Sequence, residues 1–83
     1  MANVSEHFDA DFLLSLSSFC RKLRQRKVNV TLDQEIDCYR ALRFIDVSNY
    51  DDFHATLRTI LLSKAEDFPV FDELFVTHWA SFD

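Results

Sequence analysis

The 83-residue sequence contains no glycine. Glycine supplies the positive-φ residues of tight hairpin turns, so type I′ hairpins lose their usual chemistry. It also builds the backbone cradles of P-loops and dinucleotide folds, and both are excluded here. Helices joined by short polar connections remain. Four segments carry the 3.6-residue apolar period that such helices need.

The first is expected over about residues 9–27, where Phe12, Leu13, Leu16, Phe19, Cys20 and Leu23 form one stripe. Asp9 and Asp11 suit its N-terminal end and the basic run "RKLRQRK" suits its C-terminal end. Asn29 is the candidate for the left-handed cap that glycine usually provides. Thr31 and Gln34 have the spacing of a capping box and open a second helix over about 32–45. Its expected inner face is Leu32, Ile36, Tyr39, Leu42 and Ile45, with Asp33, Glu35, Asp37, Arg40 and Arg43 outward.

Ser48 is the expected N-cap of a third helix over about 49–63, with Phe53, Leu57, Ile60 and Leu61 buried. The fourth, over about 68–81, opens with Pro69 in its first turn, where a missing N–H costs little. It holds "FPVFDELFVTHW", four of the chain's twelve aromatic residues. The expected fold is an all-α single domain, a compact bundle of about four helices, antiparallel or orthogonal.

Composition narrows the function classes. A 48% apolar and 28% charged chain is globular, and no apolar run approaches the roughly 20 residues of a membrane span. The acidic N-terminus "MANVSEHFDADF" is not a signal peptide, so a soluble cytoplasmic protein with no membrane partner is expected. Two cysteines make no disulfide framework and match no zinc spacing, so neither a metal nor a cofactor is expected.

No catalytic constellation has suitable spacing. His54 lies one turn from both Asp51 and Arg58, the pattern of a surface ion network. His78 reads as a boundary residue with its polar tip in water. Neither cysteine has a histidine at helical contact spacing to activate it. The chain is read as a non-enzyme.

Two features point to partners. Arg21, Lys22, Arg24, Arg26 and Lys27 are five of nine basic residues in a chain of net charge −5. They either complement a helix C-terminus or form a docking patch for an acidic protein surface, for which Arg21, Arg24, Arg26 and Lys27 are the candidates. No RNA-binding pattern accompanies them, so nucleic acid is not expected. The stripe Phe71, Leu74, Phe75, His78 and Trp79 reads as core first. Phe8, Phe44, Phe68 and Phe82 lie off the stripes or at their ends, and this surplus suggests an apolar contact, with Trp79 and Phe82 as the candidate seam.

Three blocks carry a resemblance: "FCRKLRQRKVNVTLDQEIDCYRAL", "IDVSNYDDFHATLRTILLSKAED" and "FDELFVTHW". In this order they resemble the N-terminal helical region of CoxE-like proteins that contain a von Willebrand factor A domain, over about residues 12–79. The resemblance implies an adaptor role beside a MoxR-type AAA+ ATPase, in maturing or remodelling a client enzyme. Its implied partners are that ATPase, the client or an adjoining A domain.

The family's turn after the first helix commonly holds a glycine, and "RKVNVT" has none. "DVS" at Asp46–Ser48 is not the family's Asp-x-Ser-x-Ser adhesion motif, since Tyr50 takes the place of its second serine. No metal site carries over. The chain stops where a linker to the A domain is expected to begin, as either an excised N-terminal domain or a free-standing relative. The alternative function is a self-associating helical domain that buries its surplus aromatics in a homodimer.

Overall fold

In the computed structural model, residues 10–80 are described. Among these residues four α-helices follow one another: α1 (Ala10–Gln25), α2 (Leu32–Ala41), α3 (Tyr50–Leu61) and α4 (Phe68–Trp79). Single 3-10 turns sit at Leu42–Phe44 and Ala65–Asp67. Among the described residues there is no strand, and the fold is an all-α bundle. The helices close a ring: α1 packs on α2 and α4, and α3 packs on α2 and α4.

The end of α1 shows how a chain without glycine stops a helix. The Lys27 amide donates to the Arg24 carbonyl at 3.0 Å and the Val28 amide to the Leu23 carbonyl at 3.0 Å. This is the paired 5→2 and 6→1 pattern of a Schellman motif, with Leu23 and Val28 both buried beneath it. The motif needs a left-handed residue, and Lys27 provides it at φ 70°. The expected residue, Asn29, is not the one. The cap is placed by Val28, which must turn back to reach the core beside Leu23, and that fixes the left-handed position one residue before it.

The start of α2 follows its sequence signal. Thr31 Oγ1 accepts from the Gln34 amide at 3.1 Å, and Gln34 Oε1 accepts from the Thr31 amide at 2.8 Å. The inner face of α2, however, is rotated from the expected one. Glu35, Cys38 and Leu42 are buried, whereas Leu32 is 67% exposed. The polar Glu35 goes inward because partners wait there, as described below. On α1, Leu13 likewise lies at the exposed margin of its stripe.

The N-cap of α3 is Asn49, whose Oδ1 accepts from the Asp52 amide at 3.1 Å. Ser48, the expected cap, is engaged one residue earlier. Its amide and hydroxyl both donate to Asp46 Oδ1, at 3.0 and 2.6 Å. That Asx-turn places Ser48 outside the helix. Pro69 occupies the first turn of α4, as its fixed φ favours.

Phe19 occupies the centre of the core. It is fully buried and meets Phe71, Phe75 and Trp79 with ring centroids 5.6, 5.9 and 5.8 Å apart. Phe53 of α3 completes the cluster at 5.3 Å from Phe75 and 4.9 Å from Trp79. Tilted and edge-on rings at these separations add to the stabilisation from burial alone. The stripe of α4 is therefore core, with Trp79 only 8% exposed.

Candidate interaction surface

The basic run lies on α1 and the turn that ends it. Residues 100° apart along a helix point in different directions, so these five side chains do not share a face. Arg24 turns toward α2. Its Nη2 donates to Glu35 Oε1 at 2.9 Å and its Nε to the Val30 carbonyl at 2.8 Å. Tyr39 donates its hydroxyl to the other Glu35 oxygen at 3.0 Å. Two donors thus hold a carboxylate whose side chain is 7% exposed, and burial with this hydrogen bond pushes the Tyr39 phenol up to about 12.

Arg26 and Lys22 turn the other way, toward α4. Arg26 lies 3.5 Å from Glu73, an exposed pair of small energetic weight. Lys22 Nζ donates to His78 Nδ1 at 2.9 Å. His78 Nε2 reaches the Ser15 carbonyl at 2.9 Å and the Ser15 hydroxyl at 2.9 Å. The arrangement fits a neutral imidazole that donates from Nε2 and accepts at Nδ1. Partial burial and the Lys22 ammonium hold its pKa below 6.5, against the opposing pull of the Ser15 carbonyl. The expected solvated tip of His78 is instead a clamp between α1 and α4. Among the described residues, neither Arg21 nor Lys27 is held in an ion pair.

His54 also finds a partner on another helix. Its Nε2 lies 2.7 Å from Asp72 Oδ1 of α4, with its ring against Phe75 at 4.9 Å and stacked on Tyr50 at 6.1 Å. The expected network with Asp51 and Arg58 is replaced, because the α3–α4 packing brings Asp72 nearer than a helical turn does. Arg58 sits over the Phe68 ring at 4.6 Å, which accounts for one surplus aromatic through a cation–π contact.

The remaining chemistry is buried or dispersed. Cys20 and Cys38 are free thiols inside the core. Burial pushes Cys20 up to about 12 and Cys38 higher still. Both are thus held as thiols rather than thiolates at neutral pH. Among the described residues no group of three His, Cys, Asp or Glu side chains could hold a metal ion. No helix among them is long and apolar enough to cross a membrane.

The apolar seam expected at Trp79 and Phe82 divides. Trp79 is buried in the core, and Phe82 lies outside the described residues, as does Phe8. Among the described residues the most exposed large apolar one is Phe44 at 86%, on the 3-10 turn after α2. Its position off every stripe was the sequence signal. Leu32, which the sequence period assigned to the core, had no such signal.

No curated protein and no solved structure matches the chain. A family model described as the CoxE N-terminal helical bundle domain matches residues 16–81. That span takes in most of α1 and all of α2, α3 and α4, together with the connections that carry the Schellman turn, the capping box and the Asx-turn. The chain belongs to the CoxE N-terminal helical bundle domain family.

Proposed function

We propose that this bundle is a noncatalytic protein-interaction domain of a CoxE-like system. It acts in the cytoplasm with a MoxR-type AAA+ ATPase, as an adaptor in maturing or remodelling a client enzyme. Membership in the CoxE N-terminal family is the observation that carries this reading. The use of the polar groups supports it. Both described histidines join helices to one another, and both cysteines are buried thiols. None is poised toward a substrate.

The contact centres on the C-terminal end of α1. Arg21 and Lys27 present unpaired charge there, while Arg24 and Arg26 add to the positive field although Glu35 and Glu73 hold them. Trp79 anchors the end of α4, after which Phe82 follows in sequence as an apolar contact residue. A patch of this kind governs encounter more than residence. Reversing Arg21 to Glu should therefore slow association with the ATPase or client and weaken its salt dependence, with helical content unchanged by circular dichroism. Equal association rates for Arg21→Glu and wild type across salt concentrations overturn the assignment of this surface.

A further inference from the structure

The rotation of α2 leaves an apolar ridge on the wrong side of the helix. Leu32 and Ile36, at i and i+4, lie one above the other. Leu32 is 67% exposed. Ile36 is half-buried, and it stands outside both the buried core and the partly buried apolar residues packed on it. The helix buries a glutamate in their stead. An amphipathic helix that turns its own apolar ridge outward has a face left to cover.

The charges bordering that ridge are ordered. Along α2 and the 3-10 turn that continues it, residues 32–44, Asp33 and Asp37 lie in the first half and Arg40 and Arg43 in the second, all four exposed. The single ion pair among them, Asp37–Arg40 at 3.7 Å, is more than half exposed at both ends and contributes little. A helical segment whose exposed charges run from acidic to basic along its length is complementary to its own antiparallel copy. Turned about a twofold axis, the acidic half of each α2 faces the basic half of the other. The ridges meet between them and the two helix dipoles oppose favourably.

We propose that the outer face of α2 is a self-pairing surface, on which two copies of the chain associate through antiparallel α2 helices. This surface is separate from the C-terminal end of α1 and does not depend on the ATPase reading. The contact is a single three-turn helix on its twin, below the size of standard interfaces. The dimer is therefore weak, with a dissociation constant on the order of 100 µM.

Sedimentation equilibrium of the whole chain from about 10 to 500 µM tests the proposal, with circular dichroism as the check on folding. The wild-type average mass rises from monomer toward dimer, and Ile36→Asp holds it at monomer. Two charge variants make the test specific. Arg40→Glu with Arg43→Glu leaves α2 wholly acidic, and Asp33→Lys with Asp37→Lys leaves it wholly basic. Each is monomeric alone, and an equimolar mixture of the two recovers the dimer. A wild-type chain that stays monomeric throughout overturns the proposal. So does a dimer that Ile36→Asp leaves intact, or a mixture of charge variants that fails to associate.

Discussion

Arg24 Nη2 and Glu35 Oε1 stand 2.9 Å apart across the α1–α2 corner, with the carboxylate buried and the guanidinium partly in water. A charge read along the sequence as surface is thus a strut of the fold. Removing Arg24 strands a buried carboxylate with the Tyr39 hydroxyl alone. Partial exposure of the arginine softens the loss below the 3–5 kcal/mol of a fully buried pair. Arg24→Ala should lower unfolding stability by about 2–3 kcal/mol in urea titrations. Arg24→Met combined with Glu35→Leu should cost clearly less, because neither charge is then left unpaired.

Lys27 at φ 70° adopts a conformation that costs a non-glycine residue about 1 kcal/mol. Lys27→Gly should raise stability by about 0.5–1 kcal/mol despite the extra freedom of the unfolded chain. A thermal unfolding scan reads the change as a higher midpoint. A lower midpoint contradicts the Schellman assignment.

His78 makes stability depend on pH in a defined direction. Its folded pKa lies below the unfolded 6.5, so the unfolded chain binds the proton first. The stabilisation is fully present above about pH 6.5 and is lost as pH falls from there through the folded value. Protonation also removes the Nδ1 acceptor for Lys22 and sets two cations together. The fall in urea midpoint between pH 7.5 and 5.5 should be smaller in His78→Gln than in wild type. Equal falls contradict the clamp.

Cys20 and Cys38 are both buried, with pKa values raised well above the ordinary thiol range. Their alkylation by iodoacetamide at pH 8 should follow unfolding of the core, at similar slow rates for both. In denaturant both should react at the rate of free cysteine. A fast native reaction at either thiol contradicts its burial.

The signals legible in the sequence were those in which a residue's partner lies within one helical turn. The Thr31–Gln34 capping box, Pro69 in the first turn of α4 and the stripes of α1 and α4 are of this kind. Glu35 was not legible, because its inward turn depends on Arg24 eleven residues earlier. The same holds for His78, whose partners Ser15 and Lys22 are 63 and 56 residues away. Asn29 and Ser48 had the intrinsic preference for their expected roles. Lys27 and Asn49 took those roles because tertiary contacts at Val28 and the Asp46 turn fixed the register. The basic run looked like one patch because sequence adjacency hides how a helix distributes its side chains around the axis.

Equilibrium binding of the purified chain to a MoxR-type AAA+ ATPase from the same genome is the most direct measurement of the proposed role. The expected result is saturable binding that weakens as salt rises and weakens further in Arg21→Glu. An absence of saturable binding up to about 100 µM contradicts the adaptor reading.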